Sequence, residues 1–167
     1  MKKKDPITEL IENDDLKNIM LDDYDFDTDL IPHPNTRVTH NGKPWEKCVE
    51  ISSADKKMRI KSCAYHYPTI KDAMDGFESN HSNQIRNAPE GRLYDPNVGE
   101  QQYAIPTFGD DGKGNGGLVV FRTSNILARV EYYSPLDYRY NYHDAEKYAR
   151  IIDKRIRFLI SKRLLSD

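Results

Sequence analysis

The chain has 167 residues, of which 31 % are charged and 37 % are hydrophobic, and its formal net charge at pH 7 is −2. This length fits one domain that buries about 70 % of its unfolded surface. The charge balance excludes a general nucleic-acid binder, which would carry a basic excess. No apolar run approaches the ~18 residues that a membrane span needs, so the sequence predicts no transmembrane segment.

An acidic N-terminal segment, residues 1–31, precedes the single domain that we expect over 32–167. It holds ten Asp or Glu against four Lys, whereas residues 143–167 hold seven Lys or Arg against four acids. These charges fit either two solvated faces or an acidic segment that docks near a basic C-terminal helix. Apolar residues at helical spacing predict a short helix over 7–21.

The stretch DDYDFDTD alternates Asp with other residues, and this period of two predicts an extended edge segment. Its aspartates, Asp23, Asp25, Asp27 and Asp29, would protect a sheet edge against aggregation. They would bind a divalent cation only if a loop folded back over them. Edge protection is the simpler interpretation, and we predict no metal site.

The start of the chain, MKKKDPITEL, has a positive cluster without an apolar h-region behind it, so it does not predict a signal peptide. Either the protein stays in the cytoplasm or the sequence begins after a removed signal or anchor.

Asn41-Gly42 is the strongest short hairpin signal in the chain. A two-residue turn there would pair Arg37 with Glu46 and Val38 with Trp45. The face that it predicts combines residues of this hairpin and the next strand: Trp45, Val49, Ile51, Met58 and Ile60.

The two cysteines, Cys48 and Cys63, flank a second hairpin whose midpoint falls between Asp55 and Lys56. An even-length loop centred there sets Cys48 directly opposite Cys63, pairs Glu50 with Lys61 and pairs Ile51 with Ile60. Opposed cysteines in a non-hydrogen-bonded pair lie about 4.5 Å apart at Cα, within disulfide range. We expect a disulfide on the solvent side of the hairpin, and such a bond favours an oxidising compartment. Two buried thiols are the alternative.

The rest of the chain predicts a helix, three strands and a long final helix. Thr69 with Asp72 forms a capping-box variant that opens a helix over 69–87, with the stripe Ile70, Ala73, Met74, Phe77, His81 and Ile85. Strands follow around 102–107 and on both sides of Ser124-Asn125, and their expected core residues are Val119, Phe121, Ala128 and Val130. A helix over 143–165, about 33 Å long, buries Ala145, Tyr148, Ala149, Ile152, Ile156, Leu159 and Ile160. The fold class is therefore α+β, an antiparallel sheet of five or six strands with two long helices packed on it.

The candidate cofactor, metal and catalytic motifs lack the residues, spacing or secondary structure that their function would require. The G-x-G-x-x-G match at 112–117 runs into a strand instead of opening a helix, as a dinucleotide site requires. A calcium loop started at Asp111 would place Lys113 and Arg122 at ligand positions. The five histidines lack metal-ligand spacing, and neither cysteine has a neighbouring histidine. We expect no cofactor, no metal and no enzyme activity.

Tyrosine is the unusual component, because five of the eleven lie between Tyr132 and Tyr142. Rings with a hydroxyl tip suit a contact surface, and we predict one from Tyr133, Tyr138, Arg139 and Tyr140. The alternative is that these rings cover the end of the sheet.

Several stretches of the chain together resemble the small surface lipoproteins and membrane-anchored sensor domains of prokaryotes with a PsbP-like α/β/α build. These stretches are ITELIENDDL, DPNVGEQQYAIP, and GGLVVFRTSNILARVEYYS followed by DAEKYARIIDKRI. The match falls on 13–16, 119–122, 125, 144–146, 149–150 and 152–156. These are core and turn positions, so the resemblance implies a fold and an extracytoplasmic location and implies no activity.

The sequence therefore predicts a non-enzymatic extracytoplasmic binding or accessory domain, secreted or membrane-anchored, with a protein or cell-envelope partner. The alternative is a cytoplasmic scaffold that self-associates through its acidic N-terminal segment and basic C-terminal helix. Neither prediction specifies the oligomeric state.

Overall fold

The computed structural model describes residues 11–22, 25, 37–52, 59–87, 95–108, 114–133 and 143–165. The strands are β1 (Arg37–Asn41), β2 (Glu46–Ser52), β3 (Arg59–His66), β4 (Gln101–Phe108), β5 (Gly114–Thr123) and β6 (Ile126–Tyr133). The helices are a 3₁₀ turn (Asn13–Asp15), α1 (Leu16–Ile19), α2 (Ile70–Asn87) and α3 (His143–Leu164).

The six strands form one antiparallel sheet in the order β1-β2-β3-β6-β5-β4. Each hairpin keeps its strands adjacent, and the non-local contact between β3 and β6 joins the two halves of the sheet. The α+β class, the antiparallel sheet and the two long helices predicted from the sequence are confirmed.

Helices cover both faces of the sheet. Successive side chains of a strand point to opposite faces, and both faces of this sheet carry apolar side chains that the helices bury. On β5, Val119 and Phe121 pack with α3, whereas Leu118 and Val120 pack with α2. We call these the α3 face and the α2 face. The α3 face carries the larger core and includes the buried stripe of α3: Ala145, Tyr148, Ala149, Ile152, Ile156 and Ile160.

The N-terminal helix is shorter than predicted, since only 13–19 are helical within the described part of 7–21. Its apolar residues nevertheless enter the core of the α3 face: Ile11, Leu16, Ile19, Met20 and Leu21. The segment therefore packs beside α3. The predicted boundary at 31/32 lies outside the described residues.

Asp25 does not lie on an extended edge segment, as the alternation of aspartates had predicted. Its backbone N–H donates to the Asp22 carbonyl at 3.1 Å, and its carboxylate accepts from the Asp22 N–H at 2.8 Å. Asp25 therefore closes a turn, because a short carboxylate can cap backbone donors nearby. Asp23, Asp27 and Asp29 lie outside the described residues.

The predicted register of the first hairpin is wrong. The structure pairs Arg37 with Ser52 and Val38 with Ile51, which leaves a longer connection after Asn41. The cause is Pro44, which has no N–H to donate to a strand ladder. It lies instead at the second position of a turn in which the Glu46 N–H donates to the Lys43 carbonyl at 3.0 Å. Gly42 supports this geometry with a φ of +144°.

Three of the apolar positions predicted to be buried are exposed. Trp45 precedes β2 and is 46 % exposed, so it does not share the buried face of Val49 and Ile51. On α2, Ala73 and Phe77 are buried, but Met74 and Ile85 are 43 % and 49 % exposed. The predicted stripe is wider than the surface that α2 covers on the sheet.

None of the helices in the described ranges is long and apolar enough to cross a membrane.

Candidate functional site

The Cys48–Cys63 disulfide lies in the register that the sequence predicted. The two residues are paired across β2 and β3, with Cα atoms 4.1 Å apart and sulfurs bonded at 2.06 Å. Both are on the α2 face, opposite the larger core. They are nevertheless only 7 % and 2 % exposed, so the prediction that they face solvent is wrong. β3 is an interior strand, and side chains on both neighbouring strands can cover a bond of this kind.

Three side-chain ligands converge at this disulfide. Ligand atoms of Glu46, Cys48 and Cys63 all lie within 4.8 Å of one another, and Glu46 Oε1 is 3.8 Å from Cys48 Sγ. Metal binding by cysteine requires thiolates, and here the bond between the sulfurs uses both. The oxidised protein therefore has a disulfide at this position and not a thiolate metal centre.

Next to the disulfide is a cluster that we call the Arg129 patch, formed by Glu46, Tyr65, Arg129 and Glu131. Strand register brings it together: Glu46 pairs with Tyr65 across β2 and β3, and Cys63 pairs with Arg129 across β3 and β6. The Arg129 guanidinium is 3.7 Å from the Glu131 carboxylate, and the two side chains are 37 % and 25 % exposed. The patch is thus a half-buried polar surface on the α2 face of the sheet.

Burial raises the pKa of the Tyr65 hydroxyl above 10.0, and the Glu46 carboxylate raises it further, while the Arg129 guanidinium lowers it. Hydrogen bonds link the hydroxyl to both neighbours. At neutral pH Tyr65 therefore keeps its proton and serves as a hydrogen-bond donor and acceptor. A phenol in this state, beside a guanidinium, is suited to binding a polar or anionic group.

A tyrosine-rich apolar cluster adjoins the patch beneath α2. Tyr103 is 1 % exposed, and burial raises its pKa to about 12, while Arg129 lowers it. Its hydroxyl donates to the Asn80 side chain. The Phe77 and His81 rings lie 5.6 and 5.0 Å from the Tyr103 ring, measured between centroids. This cluster forms one wall of the Arg129 patch.

Tyr67 connects α2 to the end of β3. A Cβ added to Gly76 would lie 2.5 Å from the Tyr67 hydroxyl, so the ring occupies the space that a side chain would need. Burial also raises the Tyr67 pKa. Glycine at position 76 therefore allows the helix to approach this ring.

A second polar cluster lies at the β5–β6 turn, where four consecutive residues are at most 6 % exposed: Arg122, Thr123, Ser124 and Asn125. Three of these residues are bonded to Glu100, which precedes β4, or to Asp153 of α3. The Arg122 guanidinium donates to Glu100 at 2.7 Å, the Thr123 hydroxyl donates to Asp153 at 2.6 Å, and the Ser124 N–H donates to Glu100 at 2.9 Å.

Ser124 has a φ of +52°, which is uncommon for a residue other than glycine. Because the polar groups of this turn are bonded to one another and to neighbouring segments, the cluster is structural.

Of the predicted contact surface, Tyr133 ends β6 and is half-buried, and the Arg59 guanidinium lies 5.3 Å from the centre of its ring. Tyr133 shares the α2 face with Arg129 and Glu131. Tyr138, Arg139 and Tyr140 lie outside the described residues, so this surface stays a prediction.

Sequence reasoning did not identify Arg129, Tyr65 or Tyr103 as site residues. The signal was the alternation in β6, which places Leu127, Arg129, Glu131 and Tyr133 on one face. Using it required knowing that β6 lies beside β3, and that pairing is not local.

Comparison with known proteins gives a similarity of fold. No family model and no curated protein matches the chain. Among solved structures, the extracellular domain of PknH from Mycobacterium tuberculosis is similar, with a TM-score of 0.64 and 9 % sequence identity. The alignment covers 90 % of this chain and 99 % of that one. At this identity the similarity establishes a shared architecture over nearly the whole domain.

Proposed function

We propose that this chain is a non-enzymatic extracytoplasmic domain that binds a ligand or partner. The observation that carries the proposal is the buried Cys48–Cys63 disulfide, because such bonds persist in oxidising compartments. The architecture shared with an extracellular domain supports it. A membrane-anchored sensor or surface lipoprotein of PsbP-like build is the more specific form of this proposal.

The compartment is tested by the redox state of the two cysteines in the organism that makes the protein. Cells are quenched in acid, and thiols are alkylated under denaturing conditions before any reduction. We expect no alkylated cysteine in the unreduced sample and two after reduction. Two alkylated cysteines without reduction would instead support a cytoplasmic protein.

The Arg129 patch is the binding surface that we propose. It combines a guanidinium, a protonated phenol and two carboxylates beside an aromatic wall. A ligand with an anionic group would contact Arg129 in place of the Glu131 carboxylate and accept the hydrogen bond that Tyr65 otherwise makes to Glu46. Since a bound ligand stabilises the folded state, small carboxylates and phosphates can be screened by the rise in melting temperature that they cause.

The control for that screen is a change of equal charge outside the patch. Arg129→Gln should abolish the rise, whereas Arg86→Gln, at an exposed position in the last turn of α2, should retain it. An equal response in both variants would show that binding occurs elsewhere.

A cytoplasmic scaffold that self-associates remains the alternative. The structure uses the relevant charges within one chain, since Arg163 bonds Asp15 at 2.5 Å and Arg155 bonds Asp25 at 2.8 Å. Self-association through them would require two chains to exchange their N-terminal segments. Light scattering on the intact protein at low and high salt tests this: a salt-sensitive dimer supports the scaffold.

A further inference from the structure

The solvent-facing surface of α3 has an unusual composition. Over 143–165 its exposed residues are His143, Lys147, Arg150, Lys154, Arg157, Phe158, Ser161, Lys162, Leu164 and Leu165. This set contains five cations and three large apolar side chains, and it contains no acid. We call it the outer face of α3.

Two of the three acids of α3 are largely withdrawn from this surface, and the third, Asp144 in the first turn, is partly buried. Glu146 is 7 % exposed and pairs with Arg150. Asp153 accepts a hydrogen bond from the Thr123 hydroxyl of the sheet and pairs with Arg157, and its side chain is 15 % exposed. The helix as a whole has seven Lys or Arg against three acids, whereas the rest of the chain has eighteen against twenty-four. Positive charge is therefore concentrated on one helix of an acidic protein.

Apolar groups lie on the same surface at its C-terminal end. Phe158 is 57 % exposed, Leu164 is 58 % exposed and Leu165 is 88 % exposed. The Lys162 ammonium is 4.8 Å from the centre of the Phe158 ring. At 3.6 residues per turn, Lys147, Lys154, Phe158 and Leu165 fall within about 40° of one another around the helix axis.

The opposite side of α3 fixes this surface in place. Tyr148, Ile152 and Ile156 are fully buried against the sheet, so the helix cannot rotate its cations inward. The result is a rigid surface about 33 Å long that has cations along its length and exposed apolar side chains at its C-terminal end.

We propose that the outer face of α3 docks on a membrane surface that contains anionic phospholipid. Helices that lie in such an interface combine lysine or arginine with aromatic and aliphatic residues that enter the headgroup boundary. The charge of the lipid complements a face that has cations and no acid. Phe158, Leu164 and Leu165 add apolar contact with the acyl boundary, which a purely electrostatic attraction would not require. Membrane docking through α3 depends neither on the compartment of the protein nor on ligand binding at the Arg129 patch.

The test uses the intact protein with two kinds of vesicle, one of phosphatidylcholine alone and one of phosphatidylcholine mixed with phosphatidylglycerol. We expect cosedimentation with the second kind only, weakening as salt screens the attraction. Lys154→Gln should lower the partition coefficient about fivefold, the factor that corresponds to the roughly 1 kcal/mol contributed by one lysine near an anionic surface. Phe158→Ser should lower it several-fold.

Matched changes on α2 provide the controls. Lys71→Gln and Met74→Ser remove an exposed lysine and an exposed apolar side chain from the other side of the sheet, and both should bind vesicles as the unmodified protein does. If the controls weaken binding equally, or if no binding to anionic vesicles occurs at low salt, the proposal is wrong.

A fluorescence experiment reports insertion directly. Trp45 is the single tryptophan, so Trp45→Phe gives a silent background into which Phe158→Trp or Met74→Trp is placed. Anionic vesicles should shift the emission of the Phe158→Trp protein to shorter wavelength and leave that of the Met74→Trp protein unchanged. If soluble polyglutamate binds as well as the vesicles and Phe158→Ser has no effect, the face recognises an acidic polymer and the membrane proposal is overturned.

Discussion

Asn125 and Ile11 are 114 residues apart in sequence, and the side chain of one pairs with the backbone of the other as a strand would. The Ile11 N–H donates to Asn125 Oδ1 at 2.8 Å, and Asn125 Nδ2 donates to the Ile11 carbonyl at 2.9 Å. The same amide nitrogen donates to the Tyr67 carbonyl at 2.8 Å. His66 adds a bond of 2.7 Å from Nε2 to the Ile11 carbonyl, and since a carbonyl only accepts, Nε2 carries the proton.

Asn125→Ala should destabilise the fold by about 3 kcal/mol, because it leaves buried backbone groups of Ile11 and Tyr67 without partners. The N-terminal segment should also detach first, which unfolds the backbone around the exposed Lys17 and allows trypsin to cleave there. Urea denaturation and limited proteolysis measure the two effects. Asn18→Ala, at an exposed position of α1, is the control and should change neither.

Arg155→Lys should lower the free energy of unfolding by about 1 kcal/mol. Arg155 contacts both Asp25 oxygens at 2.8 Å and the Met20 carbonyl at 2.5 Å, and an ammonium cannot form this fork. Arg157→Lys is the matched control, because its pair with Asp153 lies within one helix and Arg157 is 46 % exposed. There we expect less than about 0.5 kcal/mol. Equal losses would mean that the fork adds nothing.

Replacing Cys48 and Cys63 together with alanine should lower stability by about 3 kcal/mol, mainly by releasing the unfolded chain from a closed loop. The fold itself should persist, since strand pairing and both cores do not depend on the bond. Urea denaturation monitored by circular dichroism gives the loss. A variant that is unfolded without denaturant would show that the cysteines are needed for more than the crosslink.

Tyr103 should make the protein sensitive to alkali. Its folded pKa is raised to about 12, so above pH 10 the unfolded chain loses a proton that the folded chain keeps. The stability that comes from burying the neutral phenol is therefore complete below pH 10 and is lost as pH rises from 10 to 12. Melting temperatures across this range should fall less steeply for Tyr103→Phe than for the unmodified protein. Parallel curves would contradict the assigned shift.

Tyr138→Ala combined with Tyr140→Ala tests the contact surface predicted from the sequence. If these rings are interface anchors, the melting temperature should hardly change, while binding to a partner or to a second copy weakens by about 2 kcal/mol per ring. Calorimetry and light scattering measure the two quantities. A large loss of stability would show instead that the rings cover the sheet.

The sequence alone was sufficient wherever the governing interactions are local. The length of the second hairpin sets which residues oppose each other, so the Cys48–Cys63 pairing followed from counting. The turn at Ser124-Asn125 and the buried stripe of α3 followed from spacing, because period two and period 3.6 fix which side chains share a face. The first hairpin was mispredicted because two local rules competed there. The Asn41-Gly42 pair favours a two-residue turn, whereas Pro44 prevents strand pairing at its position, and the structure follows Pro44.

Tertiary structure decided what depends on contacts between distant segments. Only the pairing of β3 with β6 brings Arg129 beside Cys63 and Tyr65, and only the hydrogen bonds between Ile11 and Asn125 join the N-terminal segment to the β5–β6 turn. These contacts join segments up to 114 residues apart, and their selection depends on which surfaces bury together most favourably. The free energy gained by burying these surfaces depends on the assembled layers, so it cannot be calculated from any short stretch of the sequence.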